Sequence, residues 1–221
     1  MKKIIIFGAS DAAELAHYYF TRDSAYSVEA FTVDADYVPK EGHFCGLEIV
    51  PFDKVVTIYP PERYDFFVAL GYSHLNEVRK EKYFAAKALG YDLVSYVSSK
   101  ATELNEHAIG ENCFILEDNT IQPFVTIGNN VTLWSGNHIG HHSRVDDHCF
   151  LASQIVVSGR VQINHSCFIG VNATLRDNIT IGEKSIIGAG SLILSDVAAN
   201  GVYAGTETER SRVPSNRVRK I

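Results

Sequence analysis

The stretch IGHHSRVDDHCFLASQIVVSGRVQI, residues 139–163, has a branched aliphatic residue at every sixth position. The same spacing continues in both directions, so fifteen consecutive hexads between residues 109 and 193 share it. A fixed short period of this length indicates a repeat architecture. The repeated positions are Ile109, Ile115, Ile121, Ile127, Leu133, Ile139, Val145, Leu151, Val157, Ile163, Ile169, Leu175, Ile181, Ile187 and Ile193.

A period of six matches neither the 3.6-residue period of an α-helix nor the alternation of an ordinary β-strand. If each hexad forms one flat side and one corner, three hexads make a triangular coil, and successive coils stack through parallel backbone ladders about 4.8 Å apart. The repeat therefore predicts a parallel β-helix of about five coils with the aliphatic side chains along its axis. We expect the glycines that follow the aliphatic residues, together with nearby Asn and Asp, at corners where φ is positive. These glycines are Gly110, Gly128, Gly140, Gly170, Gly182 and Gly188.

Three of the four cysteines share one phase of the repeat. Cys149 and Cys167 are eighteen residues apart, and Cys113 lies two coils before Cys149. We expect them to form an inward ladder of small core side chains rather than disulfides or a metal site.

Composition and charge exclude several classes of protein. The chain has 221 residues, 46% hydrophobic and 21% charged, which is typical of a globular protein with two modest domains. Its net charge of −6 argues against nucleic acid as a partner. No apolar run predicts membrane insertion or a signal peptide, so we expect a cytoplasmic protein. The basic end SRVPSNRVRKI is either a solvated tail or a place where Arg210, Arg212 or Arg217 meets a cofactor phosphate.

The amino-terminal part alternates strands with helices. KKIIIF, VEAFTV, GLEIV and FFVALG are predicted strands, and DAAELAHYYF, with Ser10 or Asp11 as its cap, and SHLNEVRKEKYFAAKALG are predicted helices. This order predicts a small Rossmann-like parallel α/β sheet. We therefore expect an α/β domain at residues 1–97 and the β-helix with a tail at 98–221.

The first strand ends in a turn that lacks the full GxGxxG dinucleotide motif, so a redox cofactor is not expected. Ligands of parallel α/β sheets nevertheless bind beyond the carboxyl ends of the strands. Each residue at those ends is a candidate for binding or for a simple cap or turn. The candidates are Gly8, Ala9, Ser10, Asp11, Asp34, Asp36, Gly71 and Tyr72.

An α/β domain before a hexapeptide coil resembles the sugar O- and N-acyltransferases related to sialic acid O-acetyltransferase and to the bacillosamine and perosamine N-acetyltransferases. The resemblance implies a left-handed β-helix, a nucleotide-linked sugar held by the first domain, and acetyl-CoA held between the subunits of a homotrimer. The first turn of the family usually reads Gly-Ala-Ser-Gly-His-Gly. This chain keeps Gly8, Ala9 and Ser10 and then departs with Asp11-Ala12-Ala13.

The resemblance also implies the catalytic residues. In the family a histidine follows a repeat aliphatic by two positions, which here implies His141 as the general base. Gly159, eighteen residues later, matches the glycine whose backbone N–H faces the thioester carbonyl. The acidic residue after the family histidine is His142 here, which is the third candidate catalytic residue beside His141 and Gly159. Asp146, Asp147 or a residue of a neighbouring subunit could substitute for the missing carboxylate. Positions that match the lining of the cofactor arm are Gly170, Val171, Gly188 and Ala189.

The sequence thus predicts an acetyl-CoA-dependent N-acyltransferase that acts on the amino group of a nucleotide-linked amino-deoxy sugar. Two alternatives remain open: O-acetylation of a sugar or sialic acid, and a non-catalytic β-helix scaffold. A zinc carbonic anhydrase of the hexapeptide type is disfavoured because the histidines of the coil lack the expected His-x4-His pair. These histidines are His138, His141, His142, His148 and His165.

Overall fold

The computed structural model describes residues 2–210 and 212–217, with the side chain of residue 216 left aside. The elements of its first part, in chain order, are β1 (Lys2–Phe7), α1 (Asp11–Arg22), β2 (Tyr26–Val33), β3 (His43–Phe44), β4 (Leu47–Pro51), α2 (Val55–Ile58), β5 (Asp65–Val68) and α3 (Glu77–Ala88), with 3-10 turns at Ala35–Tyr37 and Phe52–Lys54. The strands form a five-stranded sheet with the order β3-β4-β2-β1-β5, in which only the β3–β4 pair is antiparallel.

The predicted strands and both predicted helices are present, with two differences in detail. Ser10 is the N-cap of α1, but its side chain makes no capping hydrogen bond. The helix expected from Ser73 begins only at Glu77, because His74, Leu75 and Asn76 all have positive φ and form a turn instead. An α-helix cannot pass through three left-handed residues.

The second part is the predicted left-handed parallel β-helix, a triangular prism with three sheets as faces. Residues eighteen apart pair in parallel, as in His138 with Val156. Face 1 comprises Tyr96–Val97, Phe114–Ile115, Thr132–Leu133, Phe150–Leu151, Phe168–Ile169, Ile186–Ile187 and Val202–Tyr203. Face 2 comprises Thr102–Glu103, Thr120–Ile121, His138–Ile139, Val156–Val157, Thr174–Leu175 and Leu192–Ile193. Face 3 comprises Thr126–Ile127, Arg144–Val145, Gln162–Ile163 and Thr180–Ile181, and Ser215–Arg217 forms a 3-10 turn in the tail.

The repeat aliphatics fill the axis of the prism as expected. All of them from Ile115 to Ile193 are buried, and Ile109 packs partly buried at the beginning of the coil. Cys113, Cys149 and Cys167 are fully buried free thiols, which confirms the inward ladder. Each of these thiols donates a hydrogen bond to a carbonyl of the same core, at 3.0–3.1 Å.

The prediction that the six glycines supply positive φ is wrong. The left-handed residue is the third after each aliphatic from Ile109 to Ile187, and polar residues such as Asp118 and Asn130 occupy it at φ 60° and 56°. The glycine one step after the aliphatic is needed for space instead. A Cβ on Gly140 would lie 2.6 Å from the carbonyl carbon of Ser158 in the next coil, far inside contact distance.

A buried polar cluster joins the two domains at the corner between faces 3 and 1. Arg79 of α3 is 2% exposed, and its guanidinium donates hydrogen bonds to four backbone carbonyls and to no carboxylate. Burial lowers its pKa to about 10. The side chain of Asn112 binds both the N–H and the carbonyl of Val68 at the end of β5. The acceptors of Arg79 are the carbonyls of Gly71, Asn130, His148 and Cys149.

The α/β domain therefore covers face 1 of the prism. Tyr72 follows β5 and packs its ring against Phe150 and Phe168, with ring centroids 4.9 and 4.8 Å away. The corner between faces 2 and 3 is opposite face 1, so it lies on the side of the prism away from the α/β domain. Among the described residues, no helix is long and apolar enough to cross a membrane.

Candidate active site

His141 lies at the corner between faces 2 and 3, two residues after the strand His138–Ile139. Its backbone N–H donates to Oε1 of Gln122 at 2.9 Å, and its carbonyl accepts from the N–H of Arg160 at 2.9 Å. The backbone of the proposed base is therefore held from the coil before and the coil after.

Gly159 is stacked directly on His141, as the eighteen-residue spacing predicts. A Cβ at residue 159 would lie 2.7 Å from Cε1 and 2.8 Å from Nε2 of His141, so only a bare backbone fits against the ring. The N–H of Gly159 has no hydrogen-bond partner among the described residues, while its carbonyl accepts from Asn178. The site thus brings together an imidazole nitrogen and a free N–H donor, the pair that acyl transfer requires.

The ring of His141 forms a hydrogen bond with the ring of His142. The two Nδ1 atoms are 3.0 Å apart, and the rings are nearly perpendicular. The left-handed φ of 59° at His142 directs this side chain, and the ring of Phe124 packs against it at 4.7 Å. Desolvation, then the charge of Arg160 and then His141 lower the pKa of His142.

Neither aspartate that could replace the family's acidic residue contacts His141. Asp146 is paired with Arg144 on face 3. Asp147 accepts a hydrogen bond from the N–H of Asn129 at 2.7 Å, at the next corner of the prism. Within the described part of the chain, the hydrogen-bond partner of Nδ1 of the proposed base is His142.

The residues that match the cofactor arm lie at another corner. Gly170, Val171, Gly188 and Ala189 follow the strands of face 1 and form the corner between faces 1 and 2. Successive coils are also closely packed at this corner, since a Cβ on Gly170 would lie 2.6 Å from the backbone N of Ala189 in the next coil. The whole width of face 2 separates this corner from His141 within one chain. Arg210 is exposed in the tail.

Two cavities open at the carboxyl ends of the strands of the α/β sheet. The first, about 350 Å³, is lined by three predicted residues of the first turn and by Asp34. Gly8 has φ 135°, and a Cβ there would lie 2.7 Å from the carbonyl oxygen of Ala69, so this turn needs glycine. The turn residues in the wall are Gly8, Ala9 and Ser10, and further wall residues are Phe7, Val33, Tyr37, Leu70, Val78 and Lys82.

Lys82 was not indicated by the sequence. It donates to Oδ1 of Asp34 at 2.8 Å and lies 5.5 Å from the ring centroid of Phe7, so a cation faces this cavity. A single lysine on a helix gives no signal of its own, because its partner is distant in sequence. Asp36 is an exposed residue of the 3-10 turn that does not line the cavity, so the structure does not place it with the other candidates.

The second cavity, about 260 Å³, lies between the two domains. Asp11, Gly71 and Tyr72 are part of its lining, which is otherwise mainly apolar and includes Trp134 and Phe150 of the prism. The predicted sugar-binding residues are therefore divided between two neighbouring cavities, and both are on the side of the prism away from His141. Among the described residues, no group of three His, Cys, Asp or Glu side chains is placed to hold a metal ion.

Comparison with known proteins agrees with this architecture. Residues 107–141 and 160–195 match the bacterial transferase hexapeptide family (six repeats). Acyl-[acyl-carrier-protein]–UDP-N-acetylglucosamine O-acyltransferase of Burkholderia mallei is 29% identical over 84 residues, which cover 38% of this chain and 32% of that protein. The counterpart in Sinorhizobium fredii is 26% identical over 104 residues, 44% of this chain and 38% of its own. The chain therefore spans about a third of the length of these curated relatives.

Solved structures match over both domains. The acetyltransferase domain of PglB from Neisseria gonorrhoeae has a TM-score of 0.81 at 22% identity and covers 93% of this chain and 97% of its own. PerB from Caulobacter crescentus, solved with CoA and GDP-perosamine, has a TM-score of 0.80 at 22% identity and covers 93% and 95%. WeeI from Acinetobacter baumannii has a TM-score of 0.78 at 19% identity. The chain thus carries a hexapeptide-repeat region of the bacterial transferase type, within the same two-domain fold as these structures.

Proposed function

We propose that this protein is an acetyl-CoA-dependent N-acetyltransferase acting on the amino group of a nucleotide-linked amino-deoxy sugar, with His141 as general base. The observation that carries the proposal is that the His141 ring lies against Gly159. Gly159 has no side chain, and its backbone N–H has no hydrogen-bond partner among the described residues.

The reaction follows from these two groups. Acetyl-CoA supplies an activated acetyl thioester. The amine nitrogen of the sugar forms a bond to the acetyl carbon, the carbon–sulfur bond breaks, and Nε2 of His141 takes the proton that the amine loses. That proton leaves on the sulfur, so the products are an amide and the free CoA thiol. The N–H of Gly159 is placed to stabilise the negative charge that develops on the carbonyl oxygen.

The absence of a side chain at Gly159 leaves room for the acyl donor. Any side chain at residue 159 would occupy the space beside Nε2. The other residues proposed to hold CoA lie across face 2, and the α/β cavities lie behind face 1. We therefore infer that the active site is shared in a homotrimer, in which one subunit presents the sugar to His141 of another. The nature of both substrates favours a cytoplasmic location.

The first α/β cavity is the proposed nucleotide site. It combines a glycine turn at the end of β1 with the Asp34–Lys82 pair, a set that suits a phosphorylated, polar ligand. That PerB was solved with CoA and GDP-perosamine supports a ligand of this class. We place the nucleotide in this cavity and the sugar towards Tyr72.

The test is thiol release from acetyl-CoA with UDP-, GDP- and dTDP-linked 3- and 4-amino-6-deoxy sugars, beside the matching hydroxy sugars and free sialic acid. Release with an amino sugar alone supports the proposal. His141→Asn should then lower kcat at least about 100-fold with CoA binding little changed, because only proton transfer is removed. Undiminished turnover by this variant would exclude His141 as the base.

Sugar O-acylation is the second candidate, because the curated relatives matched through the repeat region are O-acyltransferases. The same base and donor could act on a hydroxyl, and release with only the hydroxy acceptors would establish this reaction. A protein that neither releases thiol with any acceptor nor binds CoA would be a scaffold.

A further inference from the structure

The ring of His142 lies where it can decide which nitrogen of His141 carries the proton. Only one proton can lie between the two Nδ1 atoms at 3.0 Å when both rings are neutral. If His141 donates it, Nε2 of His141 has a free lone pair and faces Gly159 as a base. If His142 donates it, the proton of His141 is on Nε2 and the base is lost.

The surroundings favour the first arrangement. Nε2 of His141 lies against Gly159, where the described residues give an N–H no acceptor. The ring of His142 is on an exposed corner, so its own Nε2–H can donate to water. With the proton on Nδ1 of His141, both N–H groups have an acceptor: Nδ1–H of His141 donates to His142, and Nε2–H of His142 donates to water.

We propose that His142 is a positioning residue that accepts a hydrogen bond from Nδ1–H of His141 and thereby makes Nε2 the base, in place of a carboxylate. This inference rests on the proposed function. A neutral imidazole stabilises the protonated base less than a carboxylate does, so the pair should stay active at lower pH than a carboxylate–histidine pair.

The arrangement also sets a limit at low pH. A protonated His142 can only donate from Nδ1, which forces the His141 proton onto Nε2 and stops catalysis. Among the described residues, the charged or titratable groups that act on His142 are Arg160 and His141, and both lower its pKa, after desolvation. Phe124, whose ring packs against that of His142, adds no charge. Arg160 thus helps to keep the acceptor neutral.

The kinetic test compares pH profiles of kcat and KM for three variants. His142→Gly removes the ring while glycine keeps the left-handed φ, and it should lower kcat at least about 10-fold with KM unchanged. His142→Asn restores an acceptor and also tolerates this φ, so it should recover most of kcat. His142→Glu should move the midpoint of the acidic limb upward by about 1 pH unit. Asp118→Gly, at a left-handed position of another corner, is the control and should behave like the wild type.

A purely structural His142 would give the same midpoint in His142→Glu as in the wild type and no recovery in His142→Asn, and this outcome would overturn the proposal. Nitrogen NMR of the full protein labelled with ¹⁵N-histidine gives a test that needs no activity, with the His141 signals assigned by their loss in His141→Asn. Above the titration range we expect a protonated Nδ1 and an unprotonated Nε2. A protonated Nε2 would refute the inference. If NMR shows the expected tautomer but the thiol assay shows no release, the proposed acetyl transfer is refuted and the role of His142 in setting the tautomer is not.

Discussion

The imidazole of His141 lies against the backbone of Gly159, one coil further along the prism, so closely that a Cβ at residue 159 would be 2.8 Å from Nε2. The contact joins two residues that are adjacent only because the coil repeats every eighteen residues. A side chain at residue 159 would therefore displace the ring of the proposed base.

Gly159→Ala should lower kcat at least about 100-fold and leave the melting temperature within about 2 °C. The new methyl group meets only the end of a flexible side chain, so the ring of His141 moves aside and the fold does not have to. Steady-state kinetics and thermal unfolding measure the two effects. Ser158→Ala, one residue earlier on the same corner, should change neither. Full activity of Gly159→Ala would place the chemistry elsewhere.

His148 should make the stability of the protein depend on pH. Burial is the main cause that lowers its pKa, to about 4, while Asp147 and Glu77 oppose this and Lys80 and Arg79 add to it. Because the native state holds the ring neutral, the unfolded state binds more protons below pH 6.5. The stability is therefore full above pH 6.5 and decreases as the pH falls towards 4.

We expect the free energy of unfolding to be about 2 kcal/mol lower at pH 5 than at pH 7.5 from this group, as measured by urea unfolding. His148→Asn, which keeps a residue suited to positive φ, should remove most of that difference, and substitution of the exposed His107 by Asn should not. An equal pH dependence in both variants would show that His148 titrates normally.

Arg79 should contribute strongly to the docking of the α/β domain. Arg79→Met would leave the buried carbonyls of Asn130 and His148 without a donor, a loss of about 2–4 kcal/mol in the free energy of unfolding. Lys87 is on the same helix as Arg79 and forms a half-exposed ion pair with Glu111 of the prism. Lys87→Met removes this pair and should cost less than about 1 kcal/mol. Similar losses in both variants would mean that the carbonyl contacts of Arg79 carry little energy.

Lys82→Met should separate nucleotide binding from chemistry. The ammonium group that faces the first cavity beside Asp34 is lost, while most of the aliphatic stem remains. We expect KM for the nucleotide sugar to rise at least about 10-fold with kcat within 2-fold, and calorimetry with the nucleoside diphosphate to show the same loss. Lys80→Met, on the same helix but outside the cavity wall, is the control. An unchanged KM would exclude this cavity as the nucleotide site.

Much of the site was predictable from local pattern and the repeat. The stacking of Gly159 on His141 follows from their spacing of eighteen, and the ends of β1 and β2 mark the first cavity through Gly8 and Asp34. The lysine in the wall of the first cavity was not predictable, because Lys82 contacts Asp34 only when α3 packs over the sheet. Asp36 had the same local pattern as Asp34, but the chain turns into a 3-10 helix and leaves it exposed.

The sequence by itself determined the prism, because a six-residue period of aliphatic residues can be buried completely only if each hexad turns one corner. It also determined the inward cysteine ladder and the α/β order of the first domain. Only the tertiary structure decided that α3 inserts Arg79 among the coil carbonyls, that the α/β domain covers face 1, and that His141 lies opposite the cavities. These relations depend on contacts between residues tens of positions apart, and neither periodicity nor local propensity encodes such contacts. The left-handed φ at His142, which turns its ring towards Nδ1 of His141, likewise follows from the corner geometry rather than from the residue type.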